Sequence, residues 1–288
     1  MIPFNDRSGK MWLDGELVEW RDAKLHVLSH GLHYASAVFE GERVYRGQIF
    51  KLAEHTERLA QSARILDFEL PFSLEQINAA CNEVVLAAEI TDGYVRPIAW
   101  RGSEMMGVSA QQSQIHLSIA AWEWPTYFAP EARMKGIRMQ TSKWRRPSSD
   151  TAPVHSKAAG LYMTGTLAKH AAEAAGYADA LMLDYRGLVS EGTGANIFLV
   201  IDGKIHTPIP DCFLDGITRR TVIALARARK IDVIERHIEP CELGNAQEVL
   251  LTGTAAEVTP VSEIDEHTFV PGLITQQLID DYDAEVRR

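Results

Sequence analysis

Three short segments ending in glycine constrain this chain more than any other local feature. Asp14-Gly15 separates Met11-Trp12-Leu13 from Glu16–Trp20. Arg46-Gly47 separates Val44-Tyr45 from Gln48-Ile49-Phe50, and Asp202-Gly203 separates Ile197–Ile201 from Lys204–Thr207. Such a pair supplies the positive-φ residues of a two-residue hairpin, so each predicts two adjacent antiparallel strands.

Between these hairpins the periodicity changes. Leu52, His55, Leu59, Ala63 and Leu66 recur at helical spacing. Ser73 and Gln76 form a capping-box pattern ahead of a second helix with Ile77, Ala80, Cys81, Val84 and Ala88 on one face. Strands are predicted at Tyr94–Trp100 and Ile115–Ala121. Trp122 to Lys135 holds aromatics and prolines without a period, as a linker does. The second half predicts a loop from Trp144 to His155, an Ala-rich helix from about Ala158 to Ala175, and strands at Ala180–Asp184, Asp232–Glu235 and Val249–Thr252. A further helix is predicted over Thr218–Arg229. The expected fold class is α/β (of α+β type): a smaller N-terminal domain over residues 1–122, an interdomain loop over 123–135, and a larger C-terminal domain over 136–288.

The formal net charge of −10 argues against nucleic acid or an anionic membrane as partner, because both need a basic surface. Three scattered cysteines, Cys81, Cys212 and Cys241, read as reduced thiols. The polar start, Met1 to Lys10, does not read as a signal peptide, and no apolar run is long enough to span a bilayer. The expected location is the cytoplasm.

Several turns invite chemistry. Leu214-Asp215-Gly216-Ile217-Thr218 feeds a predicted helix, and an exposed helix start favours an anion. Thr252-Gly253-Thr254-Ala255-Ala256-Glu257 carries a capping-box pattern at Thr254 and Glu257, which predicts a second helix start. Simple capping explains either turn alone. Ser190-Glu191-Gly192-Thr193-Gly194-Ala195-Asn196 looks like a dinucleotide loop, but it runs into a strand rather than a helix and so fails that reading. His26, His30 and His33 cluster without an acidic zinc motif, which favours packing over metal binding. Asp184, Asp202 and Asp211 show no spacing that demands paired-carboxylate chemistry. Lys157 lies beside Ala158-Ala159-Gly160, whose small side chains admit a bulky ring. By itself, a lysine so placed reads as a surface charge.

In combination, seven motifs carry a resemblance. They are His30-Gly-Leu-His-Tyr-Ala-Ser-Ala-Val-Phe-Glu-Gly41, His55-Thr-Glu-Arg-Leu59, Tyr94-Val-Arg-Pro97, Ser156-Lys-Ala-Ala-Gly-Leu-Tyr162, Ser190-Glu-Gly-Thr-Gly-Ala-Asn-Ile-Phe198, Leu214-Asp-Gly-Ile-Thr-Arg219 and Thr252-Gly-Thr-Ala-Ala-Glu257. Together they resemble the fold-type-IV pyridoxal-phosphate aminotransferases, and among these the bacterial branched-chain amino-acid aminotransferases, from about Trp12 to Ile264.

The resemblance implies pyridoxal 5'-phosphate as cofactor, bonded to Lys157, which also shuttles a proton. Glu191 would pair with the ring nitrogen, Tyr162 with the phenolic oxygen, and Arg58, Ile217, Thr218 and Thr254 with the phosphate. Tyr34, Phe39, Tyr94, Trp124 and Tyr127 would line an apolar substrate pocket. Arg96 would accept the distal carboxylate of glutamate, and the Thr254 and Ala255 N–H groups the α-carboxylate. Met106 and Val108 match a loop supplied by the neighbouring subunit, which implies a homodimer or an assembly of dimers. Leu161 and Ala195 depart from the Asn and Glu frequent in relatives. The implied reaction is transamination of leucine, isoleucine and valine with 2-oxoglutarate. Trp100-Arg101-Gly102 echoes the branch acting on D-amino acids and (R)-amines, which is the alternative. An aminodeoxychorismate-lyase-like activity is a more distant one.

Overall fold

A computed structural model describes residues 3–124 and 133–288. Contacts divide the chain into two units: Met1–Pro125 with Ser156–Gly160, and Thr126–His155 with Leu161–Arg288. The short segment carrying Lys157 groups by contacts with the first unit.

The first unit is built on a seven-stranded sheet. Its strands are β1 (Lys10–Leu13), β2 (Glu16–Glu19), β3 (Ala37–Phe39), β4 (Glu42–Tyr45), β5 (Gln48–Ile49), β6 (Gly93–Arg101) and β7 (Ile115–Glu123). The order is β2-β1-β7-β6-β4-β5, with β3 also on β6. Helix α1 (His30–Tyr34) precedes β3, and α2 (Leu52–Ile65) and α3 (Leu74–Ala87) follow β5. The capping box of α3 forms as predicted, Ser73 accepting from the Gln76 N–H. Val38, Val44, Val95, Ala99, Leu117, Ile119 and Ala121 meet Leu59, Ala63, Ile77, Ala80 and Val84 of α2 and α3 in one core. Alternation along the strands sends the intervening residues, among them Tyr94 and Arg96, to the opposite face.

The second unit holds a nine-stranded sheet. Its strands are β8 (Ile137–Arg146), β9 (Asp179–Asp184), β10 (Val189–Glu191), β11 (Asn196–Ile201), β12 (Lys204–Thr207), β13 (Val233–Glu235), β14 (Glu248–Gly253), β15 (Glu257–Ile264) and β16 (His267–Thr268). The order is β10-β9-β8-β15-β14-β11-β12-β13, and β10 also pairs with β11, so the first six strands of that order form a ring. Met139, Leu181, Val189, Ile197, Leu199, Val249, Leu251 and Val261 pack together. Side chains fill a ring this narrow. Helices α4 (Met163–Ala174), α5 (Ile217–Ala228) and α6 (Leu273–Glu285) complete the unit.

All three hairpins form, and both turn residues of each have positive φ: 49° and 108° at Asp14-Gly15, 52° and 78° at Arg46-Gly47, 51° and 70° at Asp202-Gly203. Three other expectations are corrected. The segment read as a loop from Trp144 is still strand up to Arg146, because β8 pairs with β9 through Arg146↔Asp184. The Ala-rich helix is α-helical only from Met163, after a 3₁₀ turn over Ala159–Tyr162. Thr254 does not open a helix. Gly253 and Glu257 face each other across an antiparallel pair, so Thr254–Ala256 is a hairpin turn. The alternating Val258, Thr259, Pro260, Val261 run favours strand over helix there. Among the described residues, no helix is long and apolar enough to cross a membrane.

Candidate active site

In the first unit Lys157 is strapped down by its backbone. Its N–H donates to Ser62 Oγ at 2.9 Å, the Phe39 N–H donates to its carbonyl at 3.2 Å, and Ser156 Oγ donates to the Ser62 carbonyl at 3.0 Å. Ala158 bridges Val38 of β3. These bonds explain why the lysine segment belongs to this unit. The Lys157 ammonium lies 5.2 Å from the centre of the Phe39 ring. Arg96 sits over the same ring at 4.7 Å and over Tyr94 at 5.4 Å. Tyr94 in turn packs against Trp124 at 5.3 Å. Five of the predicted residues thus form one row: a lysine, an arginine and three aromatic rings.

Arg58 lies in α2 beneath this row and forks onto Glu40, Nε to Oε1 at 2.7 Å and Nη2 to Oε2 at 2.8 Å. His55 Nδ1 is 2.7 Å from the same carboxylate. Burial alone would raise the Glu40 carboxyl. The Arg58 charge and hydrogen bonds, with those of His55, outweigh it and hold the carboxyl well below the usual range. Burial pushes His55 down, against the pull of Glu40. Two residues on, Glu42 is fully buried, and neither carboxyl oxygen has a hydrogen-bond partner among the described residues. Burial, then the Glu40 charge, pushes its carboxyl well above the ordinary value, and Arg58 only partly opposes this. Sequence reasoning singled out neither glutamate. For Glu40, the signal available was its place in the Val-Phe-Glu-Gly motif, between β3 and β4.

The other predicted residues of this unit stand apart from the row. Tyr34 is 45% exposed and stacks on His30. His30 is buried, with Nε2 2.9 Å from the Gly107 carbonyl, which is packing, not metal ligation. Met106 and Val108 flank that glycine and are exposed. Tyr127 lies outside the described residues.

The second unit gathers a different set. Glu191, at the end of β10, is buried and pairs in register with Asn196, which pairs on its other side with Thr252. The Asn196 carboxamide accepts from the Gly216 N–H at 3.2 Å and donates to the Leu214 carbonyl at 3.0 Å. One asparagine thus ties the glycine-rich turn to the start of α5. Only glycine fits at 216, since a Cβ there would lie 2.3 Å from Asn196 Oδ1. Gly216 caps α5 without a side-chain hydrogen bond, so no side chain competes for the first-turn N–H groups of Ile217 and Thr218. Fully buried Arg219, paired with Asp215 at 2.7 Å and Glu235 at 2.8 Å, anchors that turn.

Arg146, unassigned by the sequence, lies against Glu191 with Nε 2.8 Å from Oε1. Two buried hydroxyls, Ser190 and Thr252, have no hydrogen-bond partner among the described residues. Tyr162, at the head of α4, is half-buried, and Thr254 and Ala255 sit on the β14–β15 turn. Asp184, Asp211 and Cys212 also converge, but both carboxylates are already engaged by Arg186, at 2.6 and 2.9 Å.

These donors fit pyridoxal phosphate. A helix start without a side-chain cap suits a phosphate, a buried carboxylate suits a pyridinium, and a lysine beside small residues suits a covalent bond to an aldehyde.

The comparisons with known proteins agree with this chemistry. Residues 37–264 match the amino-transferase class IV family, and the chain belongs to that family. Within it, the chain is 43% identical over 264 residues to the branched-chain-amino-acid aminotransferase of Pseudomonas aeruginosa, spanning 90% of this chain and 86% of that one. It is 39% identical to the Escherichia coli K12 enzyme of the same name, with the same coverage. Its fold is similar to that of a crystallised Escherichia coli branched-chain amino acid aminotransferase: TM-score 0.93, 36% identity, 96% of this chain and 94% of that one. A Thermoproteus uzoniensis branched-chain aminotransferase solved with norvaline superposes with a TM-score of 0.93 at 38% identity, covering 98% of this chain and 95% of that one. Another branched-chain amino acid aminotransferase of the same fold, solved with pyridoxamine 5'-phosphate, superposes with a TM-score of 0.95 at 40% identity, over 98% of this chain and 96% of that one.

Proposed function

We propose that the chain is a pyridoxal-phosphate-dependent aminotransferase that moves the amino group of leucine, isoleucine or valine to 2-oxoglutarate, giving branched-chain 2-oxo acids and L-glutamate. The observation that carries this reading is Arg96 stacked over Phe39 and Tyr94. An aromatic wall accepts an aliphatic side chain through apolar contact, and the guanidinium in that wall accepts the distal carboxylate of glutamate. One pocket then serves both halves of the reaction.

When bound, the cofactor supplies an electron sink for the negative charge that develops at the substrate α-carbon. The chain does the rest. Lys157 would hold the cofactor covalently, and its amine would serve as the general base and acid for the proton at the α-carbon. Glu191 holds a proton on the ring nitrogen. Tyr162 donates to the phenolic oxygen. The Ile217 and Thr218 N–H groups, with Arg58 and Thr254, hold the phosphate. The Thr254 and Ala255 N–H groups take the α-carboxylate, and Tyr34, Trp124 and Tyr127 enclose the side chain together with Phe39 and Tyr94.

Met106 and Val108 reach a neighbouring copy in a homodimer, which their exposure of 51% and 87% supports. A cytoplasmic location is supported by three cysteines without disulfides.

Substitution Arg96→Ala tests the pocket. Turnover with 2-oxoglutarate should fall roughly tenfold to hundredfold, the worth of about 1.5–3 kcal/mol for hydrogen bonds to a charged group, while the half-reaction with L-leucine changes little. Equal losses with both substrates would remove Arg96 from this role. Preference for a D-amino acid or an (R)-amine would move the enzyme to the other branch of the fold.

A further inference from the structure

Glu191 works on the ring nitrogen only as an anion held in one place, and this inference rests on that reading of the site. A carboxylate 8% exposed cannot stay charged in protein interior without a cation opposite it. Among the described residues Arg146 supplies such a charge, from the last position of β8, forty-five positions away in sequence. Its side chain is itself only 9% exposed.

The form of the contact is informative. Arg146 Nε is 2.8 Å from Glu191 Oε1 but is not aligned for a hydrogen bond, so the pair is held by charge. The aligned donors point elsewhere. Nη1 donates to the Leu161 carbonyl at 3.3 Å, and Nη2 donates to the Thr193 carbonyl at 3.2 Å. Leu161 is the residue before Tyr162, and Thr193 lies two residues after Glu191. Thr193 is fixed in turn by its hydroxyl, which donates to Asp179 at 2.5 Å. One guanidinium therefore touches the carboxylate itself, the turn behind it and the backbone that carries Tyr162.

We infer that Arg146 is a positioning residue for transamination, keeping the Glu191 carboxylate ionised and in register with Tyr162 so that Glu191 can hold the proton on the cofactor's ring nitrogen. Arg146 touches neither substrate nor cofactor in this scheme. A neutral side chain in its place would remove the positive charge 2.8 Å from the carboxylate and so disfavour the anion that stabilises a proton on the ring. A lysine would keep the charge but lose the planar fork that reaches both carbonyls.

The test uses the full-length enzyme with pyridoxal phosphate labelled with ¹⁵N at the ring nitrogen. The wild type, Arg146→Met, Arg146→Lys and Glu191→Gln are compared by the ¹⁵N shift of the bound cofactor, by cofactor affinity in equilibrium dialysis, and by the rate of the half-reaction with L-leucine. Arg146→Met should move the ring nitrogen toward its unprotonated shift and slow the half-reaction by about tenfold or more, the usual cost of losing an orienting partner. Arg146→Lys should restore part of the protonated signal. The Lys variant keeps the test decisive if the Met variant does not fold.

A protonated ring and an unchanged half-reaction in either folded variant would overturn the inference, leaving Arg146 a purely structural clamp visible only in thermal stability. The wider reading fails differently. If Glu191→Gln also leaves the ring signal unmoved, or no variant and no wild type binds the cofactor, the assignment of Glu191 is wrong, not that of Arg146 alone.

Discussion

Both units bury a carboxylate against an arginine, and they do so in opposite ways. In the first unit Arg58 grips Glu40 with a two-pronged fork, and His55 adds a third contact. In the second unit Arg146 gives Glu191 its charge but directs its hydrogen bonds to two backbone carbonyls. The first arrangement saturates the carboxylate and locks α2 to the strand region ahead of β4. The second holds a carboxylate electrostatically while spending the aligned donors on the backbone. The two guanidinium groups thus serve their carboxylates differently, Arg58 through two aligned donors and Arg146 through charge, with its aligned donors on the backbone.

That contrast can be broken most directly by removing each carboxylate. Glu40→Gln should destabilise the protein by about 3–5 kcal/mol, since it leaves Arg58 largely buried without its counter-ion. Denaturant unfolding reads the change, and a loss below about 1 kcal/mol would show that Glu40 is not the structural pair described. Glu191→Gln should reverse the emphasis. The half-reaction with L-leucine should slow roughly a hundredfold, the order lost when one electrostatic partner of a reacting group is removed, in whatever fraction of the protein stays folded once Arg146 has lost its counter-ion. An unfolded Glu191→Gln protein beside a well-folded Glu40→Gln protein would invert the comparison.

A smaller effect is expected at Glu42, which shares the first region but whose carboxyl oxygens have no partner among the described residues. Replacement by Met, apolar and of similar length, should stabilise the protein by about 1–3 kcal/mol at about pH 8. The sign follows from the raised carboxyl. Below the ordinary glutamate value of 4.5 the folded and unfolded chains both carry the proton, and Glu42 costs nothing through linkage. Above it the unfolded chain releases the proton and the folded chain keeps it, so stability is lost as pH rises toward the folded value. The gain from Glu42→Met should therefore shrink as pH falls toward 4.5. Glu40 titrates the other way, with stability present above the ordinary value and lost only at strongly acid pH. A gain at Glu42 independent of pH would mean that its carboxyl is not held neutral.

What the sequence made legible follows the range of the forces involved. The three hairpins and the Ser73 capping box are decided by neighbouring residues, and each forms as read. Strand β8 escaped because its run of Arg138, Gln140, Ser142 and Lys143 looks like loop, and only parallel pairing with β9 and β15 makes it a strand. The Thr254 turn misled because a capping-box pattern and a hairpin turn share residue types. Arg146 was invisible for both reasons: it sits at the end of the unread strand, and its partner is far away in sequence. The charge roles of Glu40 and Glu42 depend on which strand face meets α2 and α3, a tertiary fact. Lys157 and Glu191 stood out only through the family resemblance. Their spacing alone carried no chemistry.

The central claim is that this chain binds pyridoxal phosphate through Lys157 and uses it on branched-chain L-amino acids. The most direct test is the absorbance spectrum of the purified protein before and after adding L-leucine, with no 2-oxo acid present. The account predicts a yellow band from the lysine-bound cofactor that fades on addition of L-leucine while the band of the aminated cofactor grows. A yellow band that survives L-leucine but fades with a D-amino acid or an (R)-amine would contradict the substrate assignment. A protein that stays colourless with added pyridoxal phosphate would contradict the cofactor itself.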